Sequence, residues 1–429
     1  MKYLFTLLFL LIAAPAFSAD APSAVDKGDT AWMLVSAAMV MLMTPALAMF
    51  YGGMVRRKNV LSTIMQSFAA LALVSLQWIL LGYSLAFGPD FHGIIGGLDW
   101  AGLRGVGLEP STYAPTVPHM AFMIYQAMFA AITPALITGA FAERMRFSAF
   151  MAFTFIWALC VYTPVAHWVW GKDGWMSQIG VMDFAGGIVV HVTSGFSALA
   201  AALYLGKRQG FPHDMMSPHN LPLTVIGTGL LWFGWFGFNG GSALSSGQLS
   251  TLAFVTSHTA AVTATCVWMT LEWLHNGKPT MFGAATACIA GLATVTPAAG
   301  FISPMAAVAV GSLAGVVCYF ALTLKPRFGY DDSLDAFGVH GVGGSIGTIC
   351  VGLFACKALN TQGNDGLLYG NAKQLFVQLG AVLTVAVFSF IMTIVIFKVI
   401  SLFTAIRVSP EDELEGLDTT QHNESGYSM

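Results

Sequence analysis

The stretch DFAGGIVVHVTSG, residues 183–195, decides how the rest of the chain is read. It places His191 inside an apolar run that continues to Leu205. An ionisable ring there is costly and marks a functional position by default. The stretch DAFGVHGVGGSIG, residues 335–347, repeats the pattern. An aspartate again precedes an apolar segment holding Val-His-x-x-x-Gly, with Val190, His191 and Gly195 in one copy and Val339, His340 and Gly344 in the other. Two such histidines in repeated surroundings ask for one common explanation.

The surrounding chain is built for lipid. Of its 429 residues, 56% are hydrophobic and only 9% charged, against roughly 25% charged in a soluble domain. This composition reads as an all-α, polytopic membrane protein with no nucleic-acid partner. The net charge of −3 carries little information, because basic residues in such chains are sorted by loop. The cysteines, Cys160, Cys266, Cys288, Cys318, Cys350 and Cys356, lie in or beside apolar segments without metal-ligand spacing, so they read as small core residues. The 46 glycines suit helices that approach closely in a bilayer. Residues 1–19 combine Lys2, an apolar run from Leu4 to Ala14 and small residues at Ala16, Ser18 and Ala19, the pattern of a cleaved signal peptide.

A polar segment, residues 20–30, is expected to form the outer amino end. Apolar spans follow near 31–53, 60–86, 119–140, 147–169, 184–206, 219–241, 249–273, 280–299, 304–324, 337–356 and 373–405, about eleven transmembrane helices by length. The transmembrane domain thus runs over 31–407, with a tail at 408–429. With the mature amino end outside, Arg56, Arg57, Lys58, Arg144, Arg146, Lys207, Arg208, Lys278, Lys325, Arg327, Lys398 and Arg407 fall inside, against Lys27, Arg104, Lys172, Lys357 and Lys373 outside. The bias predicts a cytoplasmic carboxyl tail. That tail is polar and acidic, and in isolation it reads as flexible.

Two landmarks recur after five spans. FYGG (Phe50–Gly53) ends the first helix and FNGG (Phe238–Gly241) ends the sixth, while the histidine helices are the fifth and tenth. An odd number of spans per repeat turns the second copy upside down. The expected architecture is therefore two inverted five-helix repeats plus a long last helix, with the substrate path near the midplane between them.

The ordered set of the signal peptide, FYGG, AER (Ala142–Arg144), DFAGG with His191, GWFGFN (Gly234–Asn239), DAFGVHG with His340 and EGLD (Glu415–Asp418) resembles the Amt ammonium transporter family in its bacterial form. The likeness covers essentially the whole mature chain. It implies an inner-membrane homotrimer with one pore per subunit, conducting ammonium or ammonia and also methylammonium, without a cofactor or metal and without enzymatic activity. It further implies that the tail and inner loops dock a PII-type signalling protein.

The same resemblance assigns candidate site residues. It implies a recruitment site for the cation at Trp170 and Ser242, with Phe129 and Phe238 as a stacked pair gating the pore, and His191 and His340 as twin pore histidines. The chemistry suits those types, since an indole face attracts a cation by roughly 0.5–2 kcal/mol and a hydroxyl accepts a hydrogen bond. Without the resemblance, Trp170 reads as an interfacial belt residue and the phenylalanines as core. Asp183 and Asp335 read as amino-terminal caps of the fifth and tenth helices. Helix arithmetic puts His191 roughly 12 Å below the outer end and His340 about 8 Å above the inner end. The two meet across a core of about 30 Å only if Asp335 itself lies within the membrane. His258 reads as a subunit-contact or lipid-edge residue, and His119, His167, His213, His219 and His275 as solvated.

Two rival functions share these residues. An ammonium sensor would use the same capture site and signal through the cytoplasmic tail, but the tail after Val408 is short. A metalloenzyme or metal carrier built on the histidine pair lacks the third ligand of a catalytic zinc site unless Asp183 or Asp335 supplies it.

Overall fold

The computed structural model describes residues 25–214 and 216–427. The expected signal peptide lies outside the described residues. The spanning segments are α1 (Lys27–Met54), α2 (Arg57–Phe87), α3 (His119–Phe141), α4 (Phe147–Gln178, interrupted at residues 171–174), α5 (Gly187–Leu205), α6 (Leu221–Ala243), α7 (Gln248–Asn276), α8 (Met281–Val295), α9 (Pro304–Phe328), α10 (Phe337–Phe354) and α11 (Ala372–Ser401). Two short helices, α12 (Pro410–Glu415) and α13 (Leu417–His422), close the chain. Between α2 and α3, β1 (Asp90–Phe91) pairs with β2 (Ile95–Gly96), and β3 (Pro110–Ser111) pairs with β4 (Ala114–Pro118), both antiparallel.

Helix α1 begins earlier than the polarity of residues 20–30 suggests. Asp26 is in an extended conformation and its carboxylate accepts from Asp29 N at 2.8 Å, so the polar residues from Lys27 to Thr30 form its first turn. Helix α8 is too short to cross a bilayer alone and is almost wholly buried. The irregular segment that continues it is buried too and pairs its backbone inside the protein, with Phe184 N donating to Pro297 O at 3.0 Å. Such backbone is tolerated at membrane depth only under that condition. Helix α3 is enclosed on nearly every side, whereas α11 shows Phe376, Leu383 and Ile391 outward.

The repeat-related helices meet in pairs. Trp32 Nε1 at the start of α1 donates to Gly240 O near the end of α6, and Thr224 Oγ1 near the start of α6 donates to Phe50 O near the end of α1. The two therefore run antiparallel. Helices α5 and α10 also cross antiparallel, and more closely. A Cβ added at Gly195 would lie 2.0 Å from Gly341 N, and one at Gly344 would lie 2.6 Å from His191 Cβ. The glycine four residues after each histidine is thus the place where the opposite helix lies.

On the face carrying the basic loops, Glu143 (φ +73°) accepts from Arg56 N, Arg56 Nε and Arg208 NH1, and Arg208 grips Asp331 through its backbone N, Nε and NH2, each at 2.9 Å. Arg144, fully buried, donates to Ala140 O and Asp331 O and so covers open carbonyls at the end of α3. The tail is not loose. Asp418 accepts from Ser62 N at the start of α2, Leu417 N donates to Asn59 Oδ1, and Glu413 takes Gln209 N and Arg407. Acidic composition predicted flexibility, but these carboxylates have particular donors waiting on the folded face.

Two outcomes follow from this packing. Gly195→Ala forces a methyl group into rigid backbone, so it lowers stability by about 1–3 kcal/mol, the usual cost of overpacking, seen as a lower Tm of the purified protein in detergent. At Asp331, burial raises the carboxyl pKa, but hydrogen bonds and charge from Arg208, with Arg144 adding, hold it below the ordinary 3.8. A depressed folded pKa means that the stability it contributes is complete above 3.8 and is lost as pH falls through the lower folded value. Asp331→Asn therefore flattens the acid limb of a Tm-against-pH curve and leaves the wild type steeper there.

Candidate functional site

A vestibule of about 270 Å³ opens on the face opposite the basic loops, lined in part by Gln126, Phe129, Trp170, Ser242 and Leu244. Trp170 is fixed by its indole N–H, which donates to Asp183 O at 2.9 Å. Ser242 spends its proton on Phe238 O at 2.9 Å and lies 3.2 Å from Tyr125 Oη. Its oxygen keeps acceptor capacity toward the vestibule. The vestibule therefore offers a cation an aromatic face and a hydroxyl acceptor.

Below it, Phe129 and Phe238 stack with ring centroids 4.2 Å apart at 28°, both 1% exposed. Phe129 stands edge-on to Trp170 on one side, and Phe238 faces the His191 ring at 6.2 Å on the other. The four candidate residues and the histidines thus form one continuous column. Trp235 also stacks on His191, at 5.8 Å and 23°.

His191 Nδ1 lies 3.2 Å from His340 Nδ1, with the rings nearly parallel at 13°. Two neutral imidazoles joined in this way hold one proton between their Nδ1 atoms, so they must be opposite tautomers. One then presents a bare Nε2 and the other an Nε2–H. His191 Nε2 is buried and has no hydrogen-bond partner among the described residues. A buried, unsatisfied polar atom is uncommon in native structures and asks for a role. Both histidines sit in π-helical turns, Gly187–Val192 and Phe337–Val342, a form found frequently at functional sites.

The rings line a lumen of about 20 Å³, room for about one water-sized molecule. Its walls are mainly Met, Leu, Ile, Val and Phe side chains. Moving a small ion into such a medium costs on the order of 20 kcal/mol in the idealised case and still several after relaxation. A neutral molecule of the same size escapes most of that cost.

Asp183 accepts from four backbone amides, Gly186 N, Gly187 N, Ile188 N and Val189 N, at 2.6–3.1 Å. That is the geometry of an amino-terminal cap on α5. The cap expected at Asp335 is made by Asp332 instead, whose two carboxylate oxygens take Ala336 N and Phe337 N. Asp335 has φ +63°, and its carboxylate pairs with Lys325. Linear spacing does not show this, because the chain turns sharply at Asp335 before α10 begins.

The depth problem resolves in the same region. Asp331 and Asp332 are 1% and 0% exposed, and Leu334 N donates to Gly139 O inside α3. The start of α10 is therefore sunk below the basic face, and His340 reaches His191. Two histidines read as solvated are buried: His119 Nε2 meets Tyr83 Oη, and His167 bonds Ala86 O and Asp90. Both flank the connection between α2 and α3, whose fold the sequence did not reveal. Tyr125 and Trp235 also escaped the sequence reading, although Tyr125–Phe129 at i, i+4 and Trp235–Phe238 at i, i+3 share helix faces.

Residues 31–427 match the model of the Ammonium Transporter Family. The chain is 53% identical over 404 residues to a protein named "Ammonium transporter" from Bacillus subtilis, covering 94% of this chain and 99% of that protein. The crystal structure of Candida albicans Mep2 superposes with a TM-score of 0.86 at 37% identity, covering 91% and 88% of the two chains. A solved structure described as "Sensor Amt Protein" superposes at 0.84 with 30% identity, covering 92% and 98%.

Asp183→Asn keeps the shape of the cap but turns one oxygen into a donor facing backbone N–H groups. It leaves donors unpaired and costs about 1–3 kcal/mol or more, read as a fall in Tm.

Proposed function

The chain belongs to the Ammonium Transporter Family, a family of multi-pass membrane transporters of ammonium, and from that premise we propose how its residues carry the substrate across. Ammonium is captured in the vestibule by the Trp170 face and the Ser242 oxygen. It passes the Phe129–Phe238 pair, transfers a proton from its N–H to the bare Nε2 of the histidine pair, and continues as ammonia along His191 and His340. Methylammonium follows the same route.

The observation that carries this reading is a hydrogen-bonded histidine pair inside an otherwise apolar lumen one molecule wide, immediately behind a stacked phenylalanine pair. Ammonium and potassium share charge and approximate size, so a plain cation tunnel does not separate them. They differ in that ammonium donates hydrogen bonds and can lose its proton. An acceptor site followed by an apolar constriction exploits both differences, since potassium keeps its charge and meets the full desolvation cost. The pair of opposite tautomers offers a donor and an acceptor to ammonia, and it can hand a proton from ring to ring.

The basic face lies in the cytoplasm on this reading, with the vestibule outside an inner membrane. The subunits form a homotrimer with one pore each. His258, exposed on α7 beside Trp232 and Phe236, belongs to a surface that a neighbouring subunit covers. A PII-type signalling protein docks on the inner loops and the tail.

Uptake of labelled methylammonium by proteoliposomes, set against potassium flux in the same vesicles, tests the route. The wild type moves methylammonium and excludes potassium. His191→Ala lowers the methylammonium-to-potassium ratio by roughly tenfold or more, the scale of about one lost hydrogen bond. An unchanged ratio in a folded His191→Ala protein removes the histidines from the selectivity mechanism.

A further inference from the structure

At the basic end of the lumen lies a charged pair that the route above does not use. Asp335 is the only charged side chain among the residues lining the cavity. It is not engaged in capping α10, which Asp332 does. Its backbone lies in the left-handed region, uncommon for a residue other than glycine. Lys325 Nζ stands 2.5 Å from Asp335 Oδ1 and donates also to Asp332 O at 2.7 Å. The nearby acids are otherwise committed, Asp331 to Arg208 and Asp332 to the amides of α10. Lys325 is the only basic partner of Asp335 among the described residues.

The consequence is electrostatic. An unpaired carboxylate at the mouth of an apolar tube faces a low-dielectric wall that strengthens its attraction for any cation. Both side chains are partly exposed, 16% for Lys325 and 14% for Asp335. A cation held there plugs a lumen that has room for about one water-sized molecule. With Lys325 in place the charge of Asp335, the one that lines the lumen, is balanced by a direct partner.

We propose that Lys325 is a positioning residue of the exit, whose ammonium group neutralises Asp335 so that the lumen mouth does not become a binding site for monovalent cations. The inference rests on the proposed route through this lumen. It assigns no role to Lys325 in capture or in proton transfer, only in keeping the exit clear.

Full-length protein in liposomes, with potassium chloride or choline chloride on both sides, tests it through methylammonium uptake. The wild type and Lys325→Arg take up substrate equally in the two salts. Lys325→Met slows by about tenfold in potassium relative to choline, the scale of one poorly screened charge at contact distance. The double variant Lys325→Met/Asp335→Asn is again indifferent to the salt. Equal rates for Lys325→Met in both salts overturn the proposal, as does a double variant that keeps the potassium penalty. If Lys325→Met is recovered unfolded, the double variant decides alone: uptake indifferent to salt supports charge pairing, and no uptake in either salt overturns it. Failure of the wild type to transport methylammonium would instead strike the route itself, and the inference falls with it.

Discussion

The contact on which the site depends is the close crossing of α5 and α10. Two antiparallel helices come near enough for His191 and His340 to share a hydrogen bond only because Gly195 and Gly344 have no side chains at the crossing. In lipid there is little hydrophobic force between helices, so approach of this kind rests on packing and hydrogen bonds. The same two glycines therefore determine the tertiary contact and the spacing of the rings. The caps at Asp183 and Asp332 then fix where each helix begins, and with it the height of each histidine.

Around that crossing the molecule arranges polarity in sequence. A vestibule with an aromatic face and a hydroxyl gives way to a stacked phenylalanine pair, then to two imidazoles in an apolar tube, and last to a neutralised acid at the far mouth. Under the proposed route each stage is hostile to an ion that keeps its charge and tolerant of one that can shed it. On that route desolvation is the source of the discrimination, and the histidines are the source of the hydrogen bonds that a dehydrated ammonia otherwise lacks. The proposed route needs no wide pore, because ammonia is close to water in size.

The basic face has a different logic. Glu143, Asp331, Arg56, Arg144 and Arg208 form a buried ionic network that ties loops from both halves together, and the tail adds Glu413 and Asp418 to its rim. Removing one member leaves the others buried and unpaired, which costs more than the pair contributes when intact. Glu413 and Asp418 of the tail are thus structural ligands of the helix starts and loops on that face.

Much of this was legible in the chain itself. Apolar length fixed the number and approximate limits of the spans, because a bilayer of given thickness demands about twenty such residues each time. The recurrence of Val-His-x-x-x-Gly after five spans gave the inverted plan, and the resemblance singled out Trp170, Ser242, Phe129 and Phe238, which form one column with the histidines. What linear spacing could not supply was depth and partnership. It made Asp335 the cap and left His340 too low, since nothing local says that residues 331–335 sink into the protein before α10 starts. It left His119, His167 and the tail in solvent, because their partners, Tyr83, Asp90, Asn59 and Ser62, are distant in sequence or lie in loops without a periodic signal. Sequence determined which residues are costly to bury, and only the tertiary structure decided what each meets once buried, because a polar group's partner is chosen by the fold of the whole chain.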